Sequence, residues 1–197
     1  MKLLPAMLAL TVLWPSPSLA DDLVIDAKPA ISAQEKVRNY MNLRAGAVAA
    51  HTSSGRRPNI CLEASPIAPL ALETCGTGNG FLHEDPEPEM AHFRGHWRLA
   101  DWRWNDAWIH PRIGAGFAEI QMGADESGFH FTSAPNGVET AGPEALASVQ
   151  MVYGIPAGFE MIAELHAGAA YFEHAAKLST PMAKTQPFGG FTVGVGW

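Results

Sequence analysis

GFEMIAELHAGAAYF, residues 158–172, changes character at every step. Phe159, Met161, Ala163, Leu165, Ala167, Ala169 and Tyr171 fall on one face of an extended chain. Glu160, Ile162, Glu164, His166, Gly168, Ala170 and Phe172 fall on the other. Side chains in a strand point alternately to opposite faces, so this pattern is the signature of a strand. Ala, Glu, Leu and Met also favour helix. Helical spacing, however, would group Phe159, Ile162, Ala163 and His166, a less consistent face.

The same period runs outward in both directions. In 145–155, Val149, Met151, Tyr153 and Ile155 oppose Ser148, Gln150 and Gly154, with Leu146 and Val152 as apolar exceptions on the polar side. Pro156-Ala157-Gly158 then reads as a tight turn. At the end of the chain, Phe191, Val193, Val195 and Trp197 oppose Gly190, Thr192, Gly194 and Gly196. In 91–102, Ala91, Phe93, Gly95, Trp97 and Leu99 oppose His92, Arg94, His96 and Arg98. Residues 103–107, with Asn105-Asp106, read as a turn. In 108–118, Ile109, Ile113, Ala115 and Phe117 oppose His110, Arg112, Gly114 and Gly116, and Pro111 belongs near a strand end because it lacks an amide hydrogen. In 37–50, Val37, Met41, Leu43, Ala45, Ala47 and Ala49 oppose Arg38, Tyr40, Asn42, Arg44 and Gly46.

These strands are long for a globular protein, whose strands average about five or six residues. A strand that crosses a bilayer needs about 9–11. Hydrocarbon offers no hydrogen-bond partner, so a sheet inside it must close on itself. Its lipid side is then apolar, and its lumen side can be polar. The fold class expected is all-β: a closed antiparallel transmembrane β-barrel of eight strands. Short connections at 103–107 and 156–158 alternate with long ones at 51–90, 119–144 and 173–186, which puts both chain ends on the short-turn, periplasmic side. The pattern supplies six strands, so two more belong within 51–90, at 58–64 (PNICLEA) and 67–74 (IAPLALET), with Pro66 and Pro69 standing against them. Trp97, Trp102, Trp104, Trp108, Tyr153 and Trp197 lie near the inferred strand ends, as expected of residues at membrane interfaces.

Composition agrees with this reading. The chain has 197 residues, 19 Gly and 15 Pro, with mean hydropathy −0.01 and net charge −7. That suits one folded domain rich in turns, and no basic cluster suggests nucleic acid. Residues 1–20, MKLLPAMLALTVLWPSPSLA, carry Lys2, an apolar run and a small-residue end at Ala20, which is a secretory signal peptide. Residues 21–35 then form a periplasmic N-terminal segment and 36–197 the barrel. In an exported chain the only cysteines, Cys61 and Cys75, are expected to form a disulfide.

At this point the chain resembles the small eight-stranded outer-membrane barrels, the broad group around outer-membrane proteins A and X. The likeness rests on Phe191, Val193, Val195 and Trp197 and on YGIPAGFE at 153–160. In that group a final aromatic, usually Phe, preceded by alternating apolar residues is the barrel-insertion signal. The resemblance is one of architecture, over about 37–50 and 91–197. It implies a bacterial outer-membrane location, with outer-membrane lipids and the insertion machinery as partners.

The face assignment sends Arg44, Arg94, Arg98, Arg112, Glu160, Glu164 and His166 into the lumen, along with His92, His96 and His110. An eight-stranded barrel is only wide enough for side chains to fill it. Buried charges there must pair, and Arg112 with Glu160 or Glu164 is the pairing expected. No metal or cofactor is expected. His92 and His96, four residues apart on a strand, are separated by roughly 13 Å and cannot share one zinc. His83, Glu84, Asp85, Glu87 and Glu89 form an acidic outer loop. His51, Ser53 and Ser54, with Asp125, Glu126 and Ser127, sit at the outer rim without a recognised hydrolase or acyltransferase motif, so no catalytic residues are assigned. The function expected is structural, or interaction with an envelope or surface protein through the loops. The alternatives are a narrow passive channel, a lipid-A-modifying surface enzyme and a soluble periplasmic carrier.

Overall fold

The computed structural model describes residues 40–50, 56–78, 87–122, 138–155 and 158–197. The strands are β1 Met41–Ala50, β2 Arg56–Ile67, β3 Leu70–Gly76, β4 Glu89–Arg98, β5 Trp102–Trp104, β6 Ala107–Gln121, β7 Glu139–Ile155, β8 Phe159–Tyr171 and β9 Thr185–Gly196. All pairings are antiparallel. Their order is β4-β3-β2-β1-β9-β8-β7-β6-β5, and a β4–β6 ladder closes the sheet. The molecule is therefore a closed antiparallel barrel of eight long strands, with β5 as a short extension on β6.

Closure joins the two ends of the barrel sequence. Asn42 pairs with Gly196 and Ala50 with Phe188, so β1 lies directly against β9. The two strands expected within 51–90 are present: β2 extends beyond the expected 58–64 at both ends, and β3 starts and ends later than the expected 67–74. The 51–90 stretch is divided, as those two strands require, by a β2–β3 hairpin turning at Ala68-Pro69. Pro66 lies where the β2–β3 register shifts between Ala64 and Ile67, and Pro69 lies in the turn, so neither interrupts a regular stretch of that ladder.

The strand expected over 91–102 is also corrected. β4 stops at Arg98, and β5 resumes on β6 at Trp102. The β4–β6 ladder ends at Arg98–Arg112, and the β5–β6 ladder begins at Trp102–Ile109. Pro111 falls between these ladders, five residues into β6. Its carbonyl accepts from Leu99 N at 2.9 Å. The amide hydrogen it lacks would have pointed towards the same gap, which is why a proline is tolerated there. Asn105, at φ 53°, makes the tight β5–β6 turn.

The faces separate as the alternation requires. Leu165 is 63% exposed and its neighbour Glu164 is 1% exposed. Phe159, Met161, Val193, Val195 and Trp197 also point outward, and Glu160, His166, Thr192 and Gly196 point inward. Tyr40, placed on the inward row by parity, is instead exposed just outside β1. Inward glycines let neighbouring strands coil closely. A Cβ on Gly46 would lie 1.9 Å from the Phe191 carbonyl oxygen.

Candidate functional site: the ionic interior

The distinctive chemistry of the described residues lies inside the barrel. The eight long strands contribute there through alternate residues: Asn42 and Arg44 from β1, Glu63 from β2, Glu73 from β3, Arg94 and His96 from β4, Arg112 from β6, Gln150 from β7, Glu164 from β8 and Thr192 from β9. All are buried. Arg44 is the hub. Its guanidinium bonds to Glu164 and Glu73, lies 3.1 Å from Glu63 Oε2, and donates through Nε to Asn42 Oδ1 at 2.8 Å. Asn42 Nδ2 in turn donates to Glu63 Oε1 at 3.0 Å. Arg112 donates to Glu63 Oε2 at 2.8 Å and to Ser148 Oγ at 3.3 Å, and its other nitrogen bonds to Glu164. Arg94 Nε meets Glu73 Oε1 at 2.5 Å, and His96 Nε2 lies 3.2 Å from the same oxygen.

Three arginines and three glutamates thus form one connected group, linking strands from every side of the barrel. The equality of charge matters. A buried ion without a partner costs several kcal/mol, and a bidentate guanidinium can satisfy two carboxylates in fixed directions. Gln150 Nε2 lies 3.4 Å from both Glu63 and Glu164 and adds a neutral donor.

Two smaller groups flank this layer. Towards the short turns, Asp101 Oδ1 lies 3.2 Å from both Arg98 Nε and His110 Nδ1. Towards the long connections, His92 Nδ1 lies 2.7 Å from Glu144 Oε2, and the His92 ring packs against Phe188 at 4.7 Å. Arg94 also stacks over Phe188, at 5.8 Å. Beyond Phe188 the interior becomes mostly apolar, with Thr140 and Gln186 as buried polar members. Val48, Met90, Ala118, Ile120, Leu146, Ala170, Phe172, Ala175, Leu178 and Phe188 form one buried cluster.

The disulfide joins Cys61 and Cys75, which face each other across the β2–β3 ladder. Both side chains are buried in the interior, and Arg94 Nη2 lies 3.6 Å from Cys75 Sγ. Glu63, Glu73 and His96 offer ligand atoms within 4.8 Å of one another. Both carboxylates are held by arginines, so a cation there would compete with charges already in place.

The structure brings Arg44, Arg94, Arg112 and Glu164 together. Arg98 lies in the turn-side group, half-buried, while Glu160 and His166 are buried in β8. Arg112 pairs with Glu164 rather than Glu160, and with Glu63. Sequence reasoning missed Glu63, Glu73 and Glu144. Glu63 and Glu73 were visible in principle: each shares its strand's inward parity with one of the two cysteines. Phe191, Val193, Val195 and Trp197 line the outer face of β9. The catalytic candidates His51, Ser53, Ser54, Asp125, Glu126 and Ser127, the acidic group at His83, Glu84 and Asp85, the signal peptide 1–20 and the segment 21–35 lie outside the described residues.

No protein-family model matches the chain, and no curated protein matches it. Among solved structures it is similar to Neisserial surface protein A (NspA), at 12% identity over 79% of this chain and 93% of that one, with a TM-score of 0.49. It is also similar to the N-terminal β-barrel domain of Pseudomonas aeruginosa OprF, at 10% identity over 81% and 98%, with a TM-score of 0.44. A third is Ail, the attachment invasion locus protein of Yersinia pestis, at 10% identity over 79% and 93%, with a TM-score of 0.35.

Proposed function

We propose that this protein is a bacterial outer-membrane barrel whose lumen is a fixed ionic plug, and that it serves the envelope as a structural element presenting its long connections to a partner. The observation that carries the reading is the network of Arg44, Arg94 and Arg112 with Glu63, Glu73 and Glu164, buried inside a wall that is apolar outside. A wall with oily residues outward and charges inward suits lipid outside and a closed lumen within. An open pore would need room for water, whereas here charged side chains from opposite strands meet at hydrogen-bond distance. The export signal at 1–20 and the β9 pattern ending in Trp197 fit delivery to that membrane by the insertion machinery.

The chemistry favours positioning over catalysis, because the central carboxylates Glu63, Glu73 and Glu164 are committed to guanidinium groups. The connections between β3 and β4 and between β6 and β7 are long, and such loops carry recognition when a rigid scaffold holds them. The test combines three measurements on the full chain. The protein should fractionate with outer membranes and need detergent for release. It should migrate as a compact form until heated. Reconstituted in planar bilayers, it should give no stepwise current. Recovery in the periplasmic wash would overturn the membrane assignment, and regular conductance steps would overturn the plug.

A further inference from the structure

We infer that the lumen is sealed twice, and that the connection from Phe172 to Lys184 is a second, apolar stopper at the end opposite the start of β1 and the end of β9. This deepens the plugged-barrel reading and rests on it. The connection follows β8, which starts at the short turn after β7, so it lies at the far end of the barrel from that turn and from β1's start. It is tied to itself and to its base. Phe172 N donates to Lys184 O at 2.7 Å, Met182 N to Ala175 O at 3.0 Å, and Gln186 Nε2 to Ala183 O at 2.7 Å. A short 3-10 turn, Ala175–Lys177, redirects the chain.

The inner side of this strap is apolar and fully covered. Phe172, Ala175 and Leu178 are buried in one cluster with Met90, Ala118, Ile120, Leu146, Ala170 and Phe188, and Met182 packs against its edge. Those partners are inward residues of the strands, so strap and wall together fill the lumen above His92 and Glu144. Lys177 and Lys184 stay exposed, keeping charge off the inner side.

The two closures work by different physics. The ionic layer blocks by paired charges that fill the space and hold one another in place. The strap blocks by a largely apolar constriction, where an ion must shed its hydration with few polar groups to replace it. The two groups meet at Phe188, over which Arg94 stacks, but Leu178 itself belongs to the apolar cluster and not to the ionic layer. The device explains part of an irregularity of the sequence: Leu146, Ala170, Phe172 and Phe188 are apolar on faces that carry charged residues, because those positions meet the strap.

The test places a thiol between the two closures. Ala118→Cys puts a small side chain on the buried inner wall beneath the strap, and the native cysteines remain bridged to each other. Folded protein in vesicles is exposed to a charged, water-soluble thiol reagent, with heat-dependent gel mobility checking the fold. Ala118→Cys should label slowly. Adding Leu178→Ser should raise the labelling rate about tenfold or more, as expected when local opening becomes easier, and the bilayer should stay silent because the ionic layer remains. Rapid labelling with the native strap, or unchanged labelling with Leu178→Ser in a compactly folded barrel, overturns the stopper. If Leu178→Ser fails to fold, Met182→Ser, at the edge of the cluster, is read the same way. Steady conductance by the unaltered protein would instead sink the plugged-barrel reading on which the stopper rests.

Discussion

Arg112 Nη1 lies 2.8 Å from Glu63 Oε2, and that contact joins β6 to β2 across the interior, between residues 49 apart in sequence. Glu63 also holds Arg44 at 3.1 Å, so one carboxylate serves two guanidinium groups. The relationship explains how an inner wall built from many strands keeps one arrangement. Arg94 is answered by Glu73 on the neighbouring strand, whereas Arg112 reaches Glu63 and Arg44 reaches Glu164 across the interior.

Removing that carboxylate should therefore be costly. Glu63→Gln leaves Arg44 and Arg112 each short of a counter-charge in a buried site. The expected loss is about 3–5 kcal/mol, the range for breaking one partner of a buried pair. Urea unfolding of the protein folded into lipid vesicles, followed by tryptophan fluorescence, measures it. A change below about 1 kcal/mol, the scale of exposed pairs, would mean that the interior ions are solvated and contribute little.

The disulfide gives a second test. Cys61 and Cys75 are separated by 14 positions, so their bridge closes a short loop. Chain entropy alone predicts about 3 kcal/mol for a loop of this order. Cys61→Ser with Cys75→Ser should lower stability by up to that amount while leaving a compact barrel, because the β2–β3 ladder persists on both sides of the pair. Both sulfurs are buried, so a water-soluble reductant should act only once the barrel is unfolded. Rapid reduction of the folded form, read by alkylation and mass, would show that the interior admits solutes.

Much of this was legible in the sequence, for a physical reason. In a barrel with an apolar outer face and a charged inner one, each residue's environment follows from parity, so 158–172 alone assigns Leu165 outward and Glu164 inward. Parity is silent where the wall is not the only neighbour. Phe172 and Phe188 are inward and apolar because a connecting segment covers them, a contact that no local pattern contains. The β2–β3 hairpin was obscured because its prolines look like breakers until the turn between them is placed. The pairing of Arg112 with Glu63 required knowing which strands stand opposite, and that depends on register and closure.

Close strand approach makes a third prediction. Gly46 lies inward on β1, where an added Cβ would meet the Phe191 carbonyl oxygen at 1.9 Å, while Gly154 in β7 has open space around the same position. Gly46→Ala should force β1 and β9 apart at the seam where the barrel closes, and Gly154→Ala should be tolerated. The fraction of heat-modifiable compact form after refolding reports both. Equal yields would mean that the β1–β9 seam is looser than its register implies.

The outward face separates a membrane barrel from a water-soluble one of the same shape. Leu165 stands mid-strand on β8, paired with Val149 on one side and Phe191 on the other, and all three are exposed. If water surrounded them, Leu165→Arg would be nearly neutral, since surface substitutions away from special features change stability by only about 0.5 kcal/mol. If hydrocarbon surrounds them, the arginine must be dragged into the bilayer or snorkel out of it, at a cost of about 2–4 kcal/mol near the midplane. The cost should also grow as the vesicle lipids are made thicker, because the path to the interface lengthens. Unfolding measured in two bilayers of different thickness decides the matter, since a water-exposed position has no reason to respond to lipid length.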